Sequence, residues 1–151
     1  MLLAFVVAAT GMAVVATPAH ASHGEAVSST CPSGSGGTGR VCLYYSPNFS
    51  NSKTGFYYAG TLHVHDYFSP FRTFLSSGAG QGTQVGNNAA SVANFDRTYH
   101  VTVYYHANFG GHSVTMSTYP NSGYRRNLQP YGLRNDNRSH QRRNLSCPPI
   151  C

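Results

Sequence analysis

Acidic side chains, which many hydrolytic enzymes use as general acids or bases, are few in this chain of 151 residues. The sequence holds four of them, namely Glu25, Asp66, Asp96 and Asp136. A pair of carboxylates acting together would need two aspartates that are far apart in the sequence. The chain also lacks a Gly-x-Ser-x-Gly motif, a His-Glu-x-x-His motif and a phosphate-binding glycine loop. The sequence therefore predicts that the protein is not an enzyme.

The cysteines are the next residues whose side chains could be reactive. They are Cys31, Cys42, Cys147 and Cys151. They lack the spacing of a zinc site and lie near the two ends of the chain. An even number of cysteines in an exported protein predicts two disulfides, for which three pairings are open. Local pairing would join Cys31 to Cys42 and Cys147 to Cys151, whereas crossed pairing would tie the two ends of the domain together.

Export is indicated by the first 21 residues. Residues 1–17 are almost wholly apolar, and they are followed by Pro18-Ala19-His20-Ala21. An apolar core before an Ala-x-Ala sequence is typical of a secretory signal peptide that is cleaved after its last alanine. A membrane anchor is the alternative, but an apolar run of this length is at the short end for a bilayer span. We therefore expect a secreted, extracellular protein that begins with a glycine- and serine-rich segment at residues 22–40.

Two further groups of polar residues are candidates for ligand binding. His63 and His65 are two positions apart on a predicted strand, so their side chains would lie on the same face. Two histidines on one face are a weak signal for zinc. Between residues 125 and 143, one aspartate, Asp136, stands among Arg125, Arg126, Arg134, Arg138, Arg142 and Arg143. Such a basic cluster could bind an anionic cell-envelope polymer or a membrane surface. No nucleic-acid-binding motif accompanies the cluster, so nucleic acid is not an expected partner.

The elements that would position these residues are strands. Aromatic residues make up 13% of the chain, charged residues only 9%, and there are 16 glycines. Good helix formers are therefore scarce, while strand and turn formers are abundant. Residues 54–58, 61–67 and 113–116 predict short strands with glycine- and asparagine-rich loops between them. This pattern predicts an all-β sandwich or barrel.

The central part of the chain contains an internal repeat. Residues 41–49 match residues 101–109, with the valine, both tyrosines, the asparagine and the phenylalanine identical. A second shared element, an Asn/Asp pair followed by two residues and a serine, comes later in each copy. Its members are Asn87, Asn88 and Ser91, then Asn135, Asp136 and Ser139. We predict one domain over residues 41–140, with repeats at about 41–94 and 101–140, and a basic, cysteine-containing tail at 141–151.

These residues resemble the Greek-key motif of the βγ-crystallins, which joins an aromatic strand, an Asn-Phe-Gly-Gly turn and the Asn/Asp-Asn/Asp-x-x-Ser element. The second copy matches the hairpin signature at residues 105–111, whereas the first has Ser50 and Asn51 in place of the two glycines. The resemblance implies a disulfide-stabilised βγ-crystallin-like sandwich of two Greek-key motifs. Among bacterial members, the chain is most similar to the secreted crystallin-type inhibitors of metalloproteinases. Their Cys-Pro-x-Gly start occurs here at residues 31–34, which implies pairing of Cys31 with Cys42.

By this resemblance, the protein would inhibit a secreted protease, with a metalloproteinase as the expected target. The inhibitory segment of these relatives resembles Val-Thr-Cys-x-x-aromatic-Pro-Cys, and the matching stretch here is residues 114–121. Met116 and Asn121 replace the two cysteines, so a link that would stiffen the loop is missing. The implied loop residues are Thr115, Met116, Ser117 and Thr118, with the reactive bond between Met116 and Ser117. The alternative is an ordinary strand followed by an ordinary surface loop.

Calcium binding is the second property that the resemblance implies. The six Asn, Asp and Ser positions of the repeated element would supply oxygen ligands, of which Ca²⁺ takes about six to eight. Asp136 is the one carboxylate among them, and Arg134 and Arg138 lie close to it in the sequence, so we expect weak binding or a degenerate site. Alternatively, these side chains only make turn hydrogen bonds. No cofactor is expected to be required.

The other functions that stay open are an extracellular structural module and a cationic antimicrobial or cell-surface-binding protein. Whichever of the functions holds, we expect a monomer.

Overall fold

The computed structural model describes residues 26–31, 40–57 and 63–144, and strands form all of its longer elements. The strands are β1 (Ala26–Ser28), β2 (Arg40–Ser46), β3 (Ser50–Tyr57), β4 (His63–Val64), β5 (Ser91–Asn94), β6 (His100–Tyr104), β7 (Ser113–Met116), β8 (Arg125–Asn127) and β9 (Ser139–Arg143). Single turns of 3-10 helix occupy Pro47–Phe49, Ala107–Phe109 and Gln129–Tyr131. In the described part of the chain, no helix has the length and apolar character needed to cross a membrane. The prediction of an all-β protein is confirmed.

The strands form two antiparallel sheets, with the orders β1-β3-β2-β5-β8 and β4-β9-β6-β7. The first repeat supplies β2, β3 and β5 to the first sheet, and the second repeat supplies β6, β7 and β9 to the second sheet. The third strand of each repeat in chain order joins the sheet of the other repeat, because β4 pairs with β9 and β8 pairs with β5. This arrangement confirms the predicted sandwich of two Greek-key motifs.

The main core lies between the two sheets and is built from matching positions of the two repeats. Val41 and Leu43 of β2 and Val101 and Val103 of β6 are all fully buried in it. Successive side chains of a strand point to opposite faces. The residues between them in β2 therefore face away from this core and form a second cluster. This outer cluster consists of Cys42, Tyr44, Ala93 and Phe95, with Cys31, Phe49, Tyr119 and Tyr124 packed against it.

A disulfide joins Cys31 to Cys42, which confirms the pairing implied by the resemblance. It connects the chain just after β1 to the first long strand of the domain. Cys147 and Cys151, and the predicted signal peptide at residues 1–21, lie outside the described residues. The sandwich also extends beyond the predicted 41–140 core at both ends, since β1 lies within segment 22–40 and β9 continues to Arg143.

The strand predicted over residues 61–67 is shorter than expected. Within its described part, β4 contains only His63 and Val64, and the chain turns at Asp66. The carboxylate of Asp66 accepts a hydrogen bond from the N–H of Phe68 at 3.0 Å, and its backbone carbonyl accepts one from Ser69 at 3.3 Å. An aspartate that satisfies nearby backbone groups in this way favours a turn over a continued strand.

Candidate functional site

The first hairpin of each repeat folds over at an Asn-Phe pair with left-handed backbone conformation. Asn48 and Phe49 have φ angles of 58° and 59°, and Asn108 and Phe109 have φ angles of 54° and 64°. Asparagine tolerates this region better than most residues, whereas for a bulky phenylalanine it is uncommon. The repeated Asn-Phe pair therefore marks a corner that the surrounding structure has to hold in place.

The serines of the repeated element hold these corners. The Ser91 hydroxyl donates to the carbonyl oxygen of Ser46 at 2.7 Å and accepts the N–H of Phe49 at 3.1 Å. Ser139 makes the equivalent two bonds at the second corner, at 2.6 and 3.2 Å. Both serines are fully buried. The repeated element was predicted either to bind calcium or to make turn hydrogen bonds, and the geometry of its serines supports turn hydrogen bonding.

The other predicted calcium residues lie in different environments from these serines. Asn135 and Asp136 are exposed, and the amide of Asn88 donates to the carbonyl oxygen of Gly86 at 3.0 Å. Asn87 contributes a buried side-chain oxygen that has no hydrogen-bond partner. Asp136 supplies the one carboxylate among these positions, and few carboxylate ligands are typical of a weak Ca²⁺ site. Calcium binding at these positions stays a prediction.

The four residues of the predicted inhibitory loop lie in different environments. Thr115 is exposed on β7, and its hydroxyl lies 2.8 Å from that of Thr102. Met116, the last residue of β7, is fully buried in the main core, because the alternation of β7 turns it inward. Ser117 is half-buried and Thr118 is buried. The four positions thus do not form one exposed loop, and a reactive bond between Met116 and Ser117 stays a prediction.

The exposed part of this region comes later, at Pro120, Asn121 and Ser122 of the 117–123 loop. The side-chain amide of Asn121 donates to the Thr118 hydroxyl at 2.6 Å, and its N–H donates to the Thr118 carbonyl oxygen at 2.9 Å. The N–H of Ser117 donates to the carbonyl oxygen of Gly123 at 3.2 Å, which closes the loop at its base. Asn121 thus supplies hydrogen bonds that hold the turn within this loop.

Asn94 supports the base of the loop, although the sequence analysis did not select it. Its fully buried amide nitrogen lies 2.9 Å from the carbonyl oxygens of both Ser117 and Tyr99. Its side-chain oxygen accepts the N–H of Asp96 at 3.0 Å. The N–H of Tyr119 donates to the Asp96 carbonyl oxygen at 2.8 Å. The available sequence signal was an asparagine at the end of β5, whose other residues are small.

Aromatic rings and arginines border the loop. The rings of Tyr119 and Tyr124 lie 5.1 Å apart, and both pack against Phe95 at about the same distance, 6.0 and 5.9 Å. The guanidinium of Arg125 lies 5.1 Å from the Tyr124 ring and 5.5 Å from the Phe95 ring. The guanidinium of Arg97 lies 5.8 Å from the Tyr119 ring. These cation–π contacts place two positive charges next to the loop.

The predicted arginine cluster is divided by ion pairs. Arg142 binds Asp96 at 2.7 Å, and Arg138 binds Asp66 at 2.8 Å. Arg134 donates to an amide oxygen of Gln129 at 3.2 Å on the surface. Two of the six arginines are thus neutralised by aspartates that lie far away in the sequence. The six arginines therefore do not present six uncompensated positive charges.

The histidines pack against aromatic rings. His63 and His65 both contact Phe109, with ring centroids 5.5 and 4.6 Å away. Burial and the neighbouring His65 lower the pKa of His63. His140 is fully buried with its Nδ1 2.7 Å from the Tyr67 hydroxyl, and burial lowers its pKa to about 3. Among the described residues, no group of three or more histidine, cysteine, aspartate or glutamate side chains is placed so that it could hold a metal ion.

Comparison with known proteins identifies the family of this chain. Residues 25–116, more than half of the chain, match the family described as "Peptidase inhibitor family I36". The chain belongs to peptidase inhibitor family I36. This confirms the resemblance to the crystallin-type metalloproteinase inhibitors, and it gives the I36 protein a protease as partner. The match ends at Met116, so the 117–123 loop follows directly after it.

A solved structure supports the fold of this I36 protein. It is similar to a structure described as "Evolution of the eye lens beta-gamma-crystallin domain fold", with a TM-score of 0.55 and 14% sequence identity. The match covers 80% of this chain and all of the other, and at this identity it shows the fold alone. No curated protein matches the sequence. The inhibitor family and the Cys31–Cys42 disulfide are consistent with the predicted secretion.

Proposed function

We propose that this I36 protein inhibits an extracellular metalloproteinase by placing the 117–123 loop in the protease cleft. The observation that carries the proposal is the support that Asn94 gives to the base of the loop through the Ser117 carbonyl oxygen. The tip of the loop, at Pro120, Asn121 and Ser122, is exposed. A segment that is held in one conformation before it binds loses little conformational entropy on docking.

The surroundings of the Met116–Ser117 bond also favour slow cleavage. The Met116 side chain is anchored in the main core. Ser117 is held on the other side of the bond by Gly123 and by Asn94. Hydrolysis here would require the last residue of β7 to leave the core, and both new ends would stay attached to the fold. A protease would therefore hold the loop longer than it holds a substrate.

The test is a titration of the purified protein against a thermolysin-type metalloproteinase, with residual activity and mass spectrometry followed over time. We expect stoichiometric loss of protease activity while the chain stays intact or is nicked slowly between Met116 and Ser117. Full protease activity in the presence of excess protein, or rapid cleavage of the loop, would contradict the proposal. A subtilisin-type serine protease assayed in parallel decides whether the target class is correct.

The role of the loop itself is tested by Asn121→Ala. This change removes the side-chain bond to Thr118 and should weaken inhibition by about fivefold, since one hydrogen bond contributes about 1 kcal/mol. Gln129→Ala is the matched control, because it removes a surface hydrogen bond to Arg134 of the same kind. The control should inhibit like the unmodified protein. Equal inhibition by the Asn121 variant and the control would show that the hydrogen bond between Asn121 and Thr118 does not contribute to inhibition.

A further inference from the structure

We infer that the target protease carries acidic side chains around the mouth of its cleft. The inference rests on the proposed function, and it deepens it by assigning the chemistry of the partner surface. Three arginines border the 117–123 loop, namely Arg97, Arg125 and Arg126. The ion pairs of the described residues, Arg138–Asp66 and Arg142–Asp96, involve none of the three. A surface that receives this loop would therefore face a group of positive charges.

Two of the three arginines are held by aromatic rings rather than by acids. Arg125 lies 5.1 Å from the Phe49 ring and also contacts Phe95 and Tyr124. Arg97 lies over Tyr119, which is itself part of the loop. Both arginines are exposed. Contacts with aromatic rings fix the position of a guanidinium while leaving its charge and its N–H groups available to a partner.

The third arginine lies directly against the loop. Arg126 of β8 pairs with Val92 of β5, so its half-buried side chain leaves the sheet on the same face as Val92. Its Nε is buried and has no hydrogen-bond partner. A Cβ atom placed on Gly123 would come within 2.7 Å of its terminal nitrogen, so the guanidinium packs against the end of the loop.

The acid nearest to the loop does not offset these charges. Asp96 is buried, and both of its carboxylate oxygens are occupied inside the fold. One oxygen binds Arg142, and the other accepts the N–H groups of Thr98 and Tyr99 at 2.8 and 3.0 Å. The loop and its rim therefore present net positive charge. A basic cleft rim would repel this surface, while an acidic rim would attract it and speed association.

The expected partner is a protease rather than an anionic polymer. A polymer would need only the charges, whereas here the charges surround one fixed and exposed loop. Electrostatic attraction between such surfaces acts mainly on the association rate and weakens with salt. The inference is therefore tested by the rate of binding, which separates it from the occurrence of inhibition.

The experiment measures association rate constants with a thermolysin-type metalloproteinase that has acidic residues at its cleft rim. We compare the unmodified protein with Arg97→Glu, with the double variant Arg97→Glu/Arg125→Glu, and with the control Lys53→Glu. Lys53 lies on β3, and β2 and β5 separate this strand from β8. We expect about tenfold slower association for the double variant at low salt, and less than about threefold for the control. Arg97→Glu alone, at an exposed position, covers the case in which the double variant does not fold.

A charge swap completes the test. Replacing the acidic rim residues of the protease with lysine should restore fast association to Arg97→Glu and slow the unmodified protein. Inhibition with equal association rates for all variants would overturn the inference and leave the proposed function standing. Equal slowing by the Arg97 and Lys53 variants, or stronger binding to heparin or to anionic phosphatidylglycerol vesicles than to the protease, would also overturn it. Absence of inhibition by every form would instead refute the proposed function.

Discussion

Arg142 places its Nε and one terminal guanidinium nitrogen 2.7 Å from the same carboxylate oxygen of Asp96. This ion pair joins β9 of the second sheet to the segment that follows β5 of the first. The backbone carbonyl of Asp96 accepts the N–H of Tyr119. The pair therefore connects the last strand of the domain to the base of the 117–123 loop. The guanidinium of Arg142 also stacks on the Tyr99 ring at 3.8 Å, which further fixes its position.

Replacing Asp96 with asparagine should destabilise the protein by about 3 kcal/mol, because the largely buried Arg142 loses its carboxylate partner. Urea denaturation monitored by tyrosine fluorescence gives the free energy of unfolding. The exposed residue Asp136 provides the control, and Asp136→Asn should change stability by less than about 0.5 kcal/mol. If the two variants lose the same stability, the ion pair does not contribute as stated.

Acid should destabilise the fold through His140. Burial keeps the pKa of this histidine at about 3 in the folded state, against 6.5 as the ordinary value. Between these two values the unfolded chain binds a proton that the folded chain does not, so stability falls as the pH falls. At about 1.4 kcal/mol per pH unit, the loss from pH 6.5 to about pH 4 is about 3 kcal/mol.

Denaturation curves between pH 7 and pH 4 measure this loss. His140→Gln replaces the titrating ring with a neutral side chain that can still hydrogen-bond to the Tyr67 hydroxyl. This variant should lose most of the dependence on pH, while the acids affect both proteins equally. The same slope in both proteins would contradict the prediction. His63 shifts in the same direction, since its pKa is also lowered.

Removing the disulfide should cost about 3 kcal/mol of stability. Cys31 and Cys42 are separated by 11 residues, and closing a loop of this size reduces the entropy of the unfolded chain by roughly that amount. The double variant Cys31→Ala/Cys42→Ala should therefore unfold at a lower denaturant concentration. A loss below about 1 kcal/mol would mean that the unfolded chain is little restricted by this link.

Calcium should raise the melting temperature only slightly. For a weak site with a Kd of about 1 mM, about 10 mM Ca²⁺ would stabilise the fold by about 1.4 kcal/mol. Asp136 is the one carboxylate of the repeated element, so Asp136→Asn should abolish the effect. An equal concentration of Mg²⁺ controls for ionic strength. An unchanged melting temperature with Ca²⁺ would show that the calcium prediction is wrong.

The repeat made much of the fold predictable from the sequence. Residues 41–49 and 101–109 carry the same β-branched and aromatic residues in the same order, and each became a strand followed by a 3-10 corner. The strand at residues 113–116 was also predicted with its observed bounds. Strong local patterns of this kind do not depend on distant partners, which explains their success.

The loop supports were not predictable because they depend on contacts between distant parts of the chain. Asn94 reaches Ser117 across 23 residues, and Arg142 reaches Asp96 across 46. The inhibitory residues were inferred from the position of a family cysteine. Met116 occupies that position here, and its apolar side chain packs into the main core.

The exchange of β4 and β8 between the two sheets has a consequence for the origin of this chain. In each repeat, one edge strand of the sheet is paired with a strand of the other repeat. β5 of the first repeat pairs with β8, and β9 of the second repeat pairs with β4. A chain with a single repeat would therefore need a second copy to cover that edge. Two such copies, each lending one strand to its twin, would form a symmetric homodimer with this same architecture. The present protein has the arrangement that gene duplication and fusion of such a dimer would produce.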